Sequence, residues 1–196
     1  MKIIFLLFSY LLGSIPSGYI LFRISDKKDI RDFGSGSTGA TNLFRIKGWK
    51  WTLPAIIIDI LKGALPVYLA LRIFSDLRFS LLCAFLAVLG HCFPVYIKFR
   101  GGKGIATTMG AYAVLGFKPF LLSLATFLLV IAISRYVSLG SLLSTFFYPF
   151  FAFLFHKEGE IIILSALLFL IIALRHSGNI KRLIEGNERK LGEKVK

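Results

Sequence analysis

The residues best suited to chemistry form a short polar run in an otherwise apolar chain. Residues 32–42 read Asp-Phe-Gly-Ser-Gly-Ser-Thr-Gly-Ala-Thr-Asn, and Arg45 follows closely. Gly34, Gly36 and Gly39 can take positive φ and leave backbone N–H groups uncovered, while the hydroxyl and amide side chains add hydrogen-bonding groups. Uncovered backbone amides next to a cation favour anion binding. The run therefore predicts one wall of a phosphate site.

Three further stretches share this glycine-rich or basic character, and they lie at 90–108, 138–141 and 176–182. Lys103, in a Gly-Gly-Lys-Gly element, precedes a predicted helix whose positive N-terminal dipole favours an anion. The element is not a nucleotide-binding P-loop, because Gly104 stands where that motif requires Ser or Thr. Ser138 or Ser141 could cap the next helix, and a hydroxyl at a helix start could also serve a bound phosphate.

Residue patterns for several other reaction types are missing from the sequence. The four polar stretches contain no adjacent carboxylates for acid–base work, no set of residues with metal-ligand spacing and no Gly-x-Ser-x-Gly elbow with triad partners. None of the three histidines begins a His-x4-Asp signature. We therefore expect no metal and no cofactor, and protein groups that mainly bind and orient charge.

The composition indicates a membrane protein. The chain has 196 residues, 56% of them hydrophobic, and a mean hydropathy of +0.76, whereas a soluble domain is usually about 45–50% apolar. The net charge of +14 is spread over loops between apolar segments, which favours membrane orientation and anionic substrates over nucleic acid. We expect an all-α integral membrane protein in which residues 1–196 form a single membrane-embedded domain.

The apolar segments predict seven transmembrane helices, at 3–22, 52–73, 79–97, 105–117, 119–134, 139–155 and 161–174. The fourth and fifth segments could form a hairpin turning at Lys118-Pro119, or one long crossing. With seven crossings, one side carries eighteen Lys and Arg residues and the other carries five. A single crossing there would separate the two most basic stretches, against the positive-inside rule. We therefore expect the N-terminus outside, the C-terminus cytoplasmic and all four polar stretches on the cytoplasmic side.

Charged residues inside the second apolar segment allow two interpretations. Asp59 and Lys62 share a helix face at i and i+3 and can pair; intramembrane charges often mark function, but a structural ion pair is equally compatible. A small transporter or exchanger for organic phosphates is the alternative function. The polar residues gathered at one interface and the lack of a convincing repeat argue against it. His91, inside an apolar segment, is interpreted as structural.

Three motifs in order resemble the PlsY family, bacterial integral-membrane acyl-phosphate:glycerol-3-phosphate acyltransferases. They are Gly-Ser-Gly-Ser-Thr-Gly-Ala-Thr-Asn at 34–42, Gly-His-Cys-Phe-Pro through Phe-Arg-Gly-Gly-Lys-Gly-Ile-Ala-Thr at 90–107, and His-Ser-Gly-Asn-Ile-Lys-Arg-Leu at 176–183. The run Ser-Tyr-Leu-Leu-Gly-Ser-Ile-Pro-Ser-Gly-Tyr at 9–19 is similar too. The resemblance covers almost the full length and also implies seven spans.

The resemblance implies transfer of a fatty acyl group from acyl phosphate to the 1-hydroxyl of glycerol 3-phosphate in phospholipid synthesis. The products would be 1-acyl-glycerol 3-phosphate (lysophosphatidic acid) and inorganic phosphate. It also implies a soluble upstream enzyme of the PlsX type that makes acyl phosphate, contact with membrane lipid, no nucleic acid, and a multi-pass position in the bacterial inner membrane with the site facing the cytoplasm. In the family's proposed mechanism the phosphate of the substrate accepts the proton.

The resemblance also assigns roles to individual residues. It places catalysis at His176, Asn179 and Lys103, with Lys103 on the phosphate of glycerol 3-phosphate. Glu188 is expected to be structural. Substrate binding is assigned to Ser35, Thr41, Asn42, Arg45, Gly101, Gly102, Lys103, Gly104 and Ser141.

Overall fold

The computed structural model describes residues 1–155 and 158–193, and within them the regular structure is helical, without a β-strand. The α-helices are α1 (Lys2–Gly13), α2 (Ser17–Asp26), α3 (Ala40–Lys47), α4 (Trp49–Phe74), α5 (Leu77–Cys92), α6 (Ile105–Leu115), α7 (Phe117–Ser134), α8 (Val137–Phe155), α9 (Gly159–Arg175) and α10 (Ser177–Ile184). Short 3-10 turns cover Ile30–Asp32 and Val95–Ile97. Lys157, counted above among the five charges of the less basic side, and residues 194–196 lie outside the described residues.

The helices differ in whether they are long enough to cross a bilayer. In the described part of the chain, α4, α5 with its 3-10 extension, α7 and α8 are each long and apolar enough. The pairs α1–α2 and α9–α10 are bent by 42° and 67° and bring the number to six if each pair is one span. The helix α6 has 11 residues, or about 16 Å of length against a hydrocarbon core of about 30 Å.

The segment 105–134 folds back on itself. The Oγ atom of Ser123 lies 3.9 Å from the Sδ atom of Met109, whereas these residues would be about 21 Å apart along one continuous helix. The turn is at Gly116, an extended residue between α6 and α7, and not at Lys118-Pro119 as predicted. Pro119 lies in the first turn of α7, where its missing N–H removes no helical hydrogen bond. A single continuous helix over this segment is therefore excluded.

Glycines bring α6 into close contact with α4. A Cβ atom on Gly63 would lie 1.9 Å from the carbonyl oxygen of Thr107, and one on Gly110 would lie 2.0 Å from that of Ile60. Small residues allow this approach of helix backbones in membrane bundles, where van der Waals packing replaces the hydrophobic driving force. Because α6 is fixed against α4, the loop that precedes α6 is held in place as well.

Asp59 and Lys62 form a buried ion pair at the break between α1 and α2. The Nζ atom of Lys62 lies 2.9 Å from Oδ1 of Asp59 and donates to the carbonyl oxygen of Ile15 at 2.7 Å. Ser17 donates to the same Asp59 oxygen at 2.6 Å. The break at Ser14–Pro16 interrupts helical hydrogen bonding, and Lys62 supplies a partner for a carbonyl group there. The contacts favour the structural interpretation of the pair.

Candidate active site

The four polar stretches meet at one end of the helix bundle. Arg31 donates to the carbonyl oxygen of Ile97 at 3.0 Å, which joins the region of the first glycine run to the α5–α6 loop. The ammonium of Lys103 donates to the side-chain oxygen of Asn179, and Ser138 donates to Glu188 at 2.9 Å. The shared location that the sequence predicts for these stretches is therefore present in the fold.

Lys103 is a partly buried cation in the loop before α6. Burial is the main cause that lowers the pKa of Lys103 to about 8, and Arg182, Arg45 and Arg175 lower it further while Glu188 opposes them. The ammonium is therefore still mainly protonated at neutral pH. Three arginines close enough to disfavour its charge make this a strongly cationic cluster, which suits a ligand with several negative charges.

Glu188 is a buried carboxylate that binds three side chains. Its Oε1 atom accepts from Asn179 Nδ2 at 2.7 Å and from Ser138 Oγ at 2.9 Å, and its Oε2 atom accepts from Arg182 Nε at 2.8 Å. Burial raises the pKa of Glu188, but these hydrogen bonds outweigh burial and the pKa is lowered. Because the Asn179 amide donates to this carboxylate, its oxygen faces Lys103.

His176 is a neutral imidazole between α9 and α10. The ring is buried, and its Nδ1 atom lies 2.8 Å from the carbonyl oxygen of Ile172. Burial first, and then the charge of Lys103, lower the pKa of His176 to about 4. A neutral ring that donates from Nδ1 to a carbonyl carries an unprotonated Nε2. His176 can therefore accept a hydrogen bond from a hydroxyl group at that atom.

The first glycine run is held together by Asn42. Its Oδ1 atom accepts from the backbone N–H of Ser35 at 2.9 Å, and its Nδ2 atom donates to the carbonyl oxygens of Ser37 at 2.9 Å and Phe33 at 3.0 Å. Gly34 has φ of +64°, and a Cβ atom there would lie 2.1 Å from Asn42 Oδ1. The Nδ2 atom of Asn42 also lies 3.5 Å from the carbonyl oxygen of Ile30, just before the run. These contacts organise the loop.

The comparisons with known proteins agree on one family. The family model described as Glycerol-3-phosphate acyltransferase matches residues 3–186. The chain belongs to the glycerol-3-phosphate acyltransferase family. A relative of that name from Endomicrobium trichonymphae is 44% identical over 190 residues, covering 97% of this chain and 96% of its own. Another, from Fusobacterium nucleatum, is 38% identical over 189 residues, covering 95% and 96%.

Two solved structures match this acyltransferase over nearly its whole length. The crystal structure of PlsY (YgiH), an integral membrane glycerol 3-phosphate acyltransferase, in its glycerol 3-phosphate form has a TM-score of 0.93 and 33% identity, covering 97% of this chain and 96% of that one. The lysophosphatidic acid form has a TM-score of 0.89 at the same identity, covering 97% and 95%. The acyltransferase is therefore an all-helical, multi-pass integral membrane protein.

Thr41 and Arg45 lie on α3 of the acyltransferase, which faces the segment after α10. Arg45 is partly buried and donates to the backbone oxygen of Arg189 at 3.3 Å, and burial is the main cause that lowers its pKa. Thr41 lies one helical turn earlier on the same face. Ser35 is exposed at the loop. Gly39 has φ of −77° and does not use the positive φ that it could take, unlike Gly34 and Gly36.

The glycines of the Gly-Gly-Lys-Gly element pack against other groups of the acyltransferase. A Cβ atom on Gly101 would lie 2.2 Å from the carbonyl oxygen of His91, and one on Gly102 would lie 2.1 Å from the Nε2 atom of the same residue. Gly104 has φ of +87° and precedes α6. These contacts explain the glycines through packing and backbone conformation; their predicted contact with substrate stays a prediction.

Sequence reasoning missed Arg175 and Arg182. Arg175 donates to the carbonyl oxygens of Gly101 at 3.0 Å and Gly102 at 3.2 Å, so it fixes the loop that carries Lys103. Arg182 binds Glu188. The sequence does contain a signal for Arg175, because it is a cation at the end of an apolar segment, directly before His176.

The hydroxyl of Ser141 bonds within its own helix, and its predicted contact with substrate stays a prediction. Its hydroxyl donates to the carbonyl oxygen of Val137 at 2.9 Å within α8. Ser138, one turn earlier, is the serine that reaches Glu188. The helix begins at Val137, so neither serine is its N-cap residue. Among the described residues, no group of three or more His, Cys, Asp or Glu side chains could hold a metal ion.

Proposed function

We propose that this protein transfers a fatty acyl group from acyl phosphate to the 1-hydroxyl of glycerol 3-phosphate, giving 1-acyl-glycerol 3-phosphate and inorganic phosphate. The observation that carries the proposal is the cationic cluster of Lys103 with Arg45, Arg175 and Arg182. Two substrates that each carry a phosphate bring several negative charges, which such a cluster can hold. Names of relatives in the family support acylation of glycerol 3-phosphate, and the PlsY structures occur in glycerol 3-phosphate and lysophosphatidic acid forms.

The reaction needs positioning more than acid–base chemistry. The glycerol 1-hydroxyl oxygen attacks the carbonyl carbon of the acyl phosphate, and the bond from that carbon to the phosphate oxygen breaks. Phosphate leaves with the electron pair. Because acyl phosphate is a mixed anhydride with a good leaving group, holding the two anionic substrates together supplies much of the catalysis.

The hydroxyl proton moves to phosphate in this proposal, not to His176. A phosphate group has a second pKa of about 6, whereas the pKa of the His176 imidazole is lowered to about 4. Phosphate is therefore the stronger base. His176 accepts a hydrogen bond from the attacking hydroxyl at Nε2 and orients it, and Lys103 holds the phosphate of glycerol 3-phosphate.

Further residues around Lys103 and His176 complete the proposed site. Arg45, Thr41 and Ser35 line the region that takes the phosphate of the acyl donor. Asn179 positions Lys103 and, with it, the acceptor substrate. Arg175 holds the backbone of the loop in front of Lys103. One membrane-embedded domain, residues 1–196, carries all of these groups.

Purified protein in detergent tests the proposal directly. With acyl phosphate and glycerol 3-phosphate we expect equimolar release of phosphate and formation of 1-acyl-glycerol 3-phosphate, measured by mass spectrometry. Acyl-CoA in place of acyl phosphate should give no product. A folded sample that is inactive with acyl phosphate but active with acyl-CoA would remove the donor assignment, and inactivity with both donors would remove the whole proposal.

We also propose seven membrane crossings, with the N-terminus outside, the C-terminus cytoplasmic and the site at the cytoplasmic face of a bacterial inner membrane. The excess of Lys and Arg on the side of the site supports this orientation, and the fold-back at Gly116 supports counting α6 and α7 separately.

Cysteine labelling in intact cells tests the orientation. Lys28→Cys and Ser75→Cys place exposed thiols at opposite ends of the proposed bundle, and the native Cys83 and Cys92 are buried. A membrane-impermeant reagent should label position 75 in intact cells and position 28 only after permeabilisation. The reverse pattern would contradict the orientation.

The donor chemistry also supports an upstream partner. Acyl phosphate is hydrolytically labile and carries a long apolar chain, so a soluble enzyme of the PlsX type would supply it next to the cytoplasmic site. We expect a coupled assay with such an enzyme to sustain turnover without added acyl phosphate. No product from the coupled system, when both components are active separately, would argue against this supply.

A further inference from the structure

His91 lies between the buried ion pair and the loop that carries Lys103. Its Nδ1 atom is 3.6 Å from Asp59 Oδ1 and 3.1 Å from Thr107 Oγ1. Its own carbonyl oxygen accepts from the backbone N–H of Gly102 at 3.1 Å. A Cβ atom on Gly102 would lie only 2.1 Å from Nε2 of the ring. His91 therefore contacts the ion pair on one edge of its ring and the loop backbone on the other.

We propose that His91 is a positioning residue for the acyl transfer: the Asp59–His91 contact sets the place of Gly102 and thereby the place of the Lys103 ammonium. The proposal rests on the proposed function. The ligand group concerned is the phosphate of glycerol 3-phosphate, because Lys103 is the residue assigned to bind it.

The position of this loop depends on its neighbours. Gly101 and Gly102 have no side chains with which to anchor themselves, so their backbone is located by what packs against it. Arg175 donates to their carbonyl oxygens, the backbone carbonyl of His91 accepts from the Gly102 N–H, and the His91 ring packs against Gly102. A change in either contact moves the residue that follows, which is Lys103.

Asp59 is suited to fix the ring in one orientation. Its Oδ1 atom already accepts from Ser17 and pairs with Lys62, so the carboxylate is itself held by α2 and α4. A fixed carboxylate near Nδ1 favours a proton on that nitrogen and fixes the ring plane. Errors of about 1 Å in the position of a substrate-binding group can cost on the order of a hundredfold in rate, so this anchoring has a functional consequence.

Substitution at His91 separates positioning from simple structural support. His91→Asn keeps a donor near Nδ1 for Asp59 but removes the ring edge that contacts Gly102. We expect its KM for glycerol 3-phosphate to rise about tenfold, while the KM for acyl phosphate stays within about twofold and the melting temperature stays near that of the wild type. A merely structural role would lower the fraction of active protein and change neither KM.

Thr107→Val keeps the proposal falsifiable if His91→Asn does not fold, and a double-mutant cycle adds a second test. Thr107→Val removes the hydroxyl beside Nδ1 with little change of shape and should raise the KM for glycerol 3-phosphate severalfold. A double-mutant cycle of His91→Ala and Gly102→Ala should show that the double variant is no worse than the worse single variant, because both substitutions act on one contact. Multiplying effects would overturn the proposal.

The wild-type protein in the same assay distinguishes failure of the proposed function from failure of the positioning role of His91. Wild type that is folded yet inactive with both substrates would refute the proposed function. Normal wild-type turnover with an unchanged KM for glycerol 3-phosphate in Thr107→Val and in folded His91→Asn would refute the positioning role alone.

Discussion

The side-chain oxygen of Asn179 accepts a hydrogen bond from the ammonium of Lys103. The acceptor is a neutral amide, so the charge of Lys103 is oriented without being neutralised. The carboxylate of Glu188 does not bind Lys103 directly; it accepts a hydrogen bond from the Nδ2 atom of the same Asn179 amide. A direct Lys103–carboxylate pair would compete with a phosphate ligand, whereas this arrangement leaves the cation available to it.

We expect Asn179→Ala to lower kcat/KM for glycerol 3-phosphate about ten- to a hundredfold, because loss of a hydrogen bond to a charged group costs roughly 1.5–3 kcal/mol. Steady-state kinetics with saturating acyl phosphate measures the effect. Asn187→Ala, at an exposed position on the segment after α10, is the matched control and should retain wild-type kinetics. Near-normal kinetics in Asn179→Ala would contradict the positioning role of this amide.

The affinity for glycerol 3-phosphate should fall as pH rises through about 8, the pKa to which Lys103 is lowered. A bound phosphate favours the ammonium and raises its pKa, so binding takes up a proton above pH 8 and KM rises there. Lys103→Arg keeps the positive charge at all these pH values. Its KM is expected to be higher at pH 7 but to lack the rise between pH 8 and 9.5. A pH-independent wild-type KM over this range would contradict the assignment.

Hydropathy predicted most of the helical architecture. Each of the seven predicted apolar segments contains a helix, and the chain folds back between the fourth and fifth, as charge counting favoured. The turn itself falls at Gly116 and not at Lys118-Pro119. Proline is equally compatible with a turn and with the first turn of a helix, so the sequence did not separate these positions. Average hydropathy shows that a helix is present more reliably than it shows where the helix begins and ends.

The site was harder to predict because its contacts join distant parts of the chain. Lys103 and Asn179 are separated by 76 residues, and Arg175 and Gly101 by 74. Motifs identified which stretches carry polar chemistry, but not which side chain of a stretch turns inward. Asn42 turns into its own loop, and Ser138, which was considered only as a helix cap, bonds to Glu188. Such orientations depend on helix phase and packing, which a single sequence does not display.

Glu188→Gln should destabilise the folded protein by about 1–3 kcal/mol at pH 7, because buried donors lose a charged partner. The pKa of Glu188 is lowered from its ordinary 4.5, so its contribution is present above pH 4.5 and is lost as pH falls through the folded pKa. The gap between variant and wild type should therefore shrink on acidification. Chemical denaturation in detergent at several pH values measures it.

Glu185→Gln is the matched control for Glu188→Gln. Glu185 is exposed, and its carboxylate lies 3.8 Å from the ammonium of Lys181. Exposed pairs of this kind contribute little, about 0.2–1 kcal/mol. Equal destabilisation by the two substitutions would contradict the central place of Glu188 in the hydrogen-bonded cluster.

Ser138→Ala and Ser141→Ala test which serine of α8 supports the site. Ser138 donates to a buried carboxylate, so its removal should cost about 1.5–3 kcal/mol of stability. Ser141 donates to a carbonyl oxygen that its own helix already uses, and such back-bonding adds little stability. We expect Ser141→Ala to stay within about 0.5 kcal/mol of the wild type.

Kinetics complete the comparison of the two serines. Ser138→Ala should raise the KM for glycerol 3-phosphate severalfold, because Glu188 orients Asn179 and Asn179 orients Lys103. Ser141 was assigned to substrate binding by resemblance alone, and its hydroxyl can still accept a hydrogen bond while it donates to Val137. If it contacts a phosphate-bound proton or a substrate hydroxyl, Ser141→Ala raises a KM at unchanged stability. The opposite pattern, with a stability loss in Ser141→Ala and none in Ser138→Ala, would contradict the hydrogen bonds of both residues.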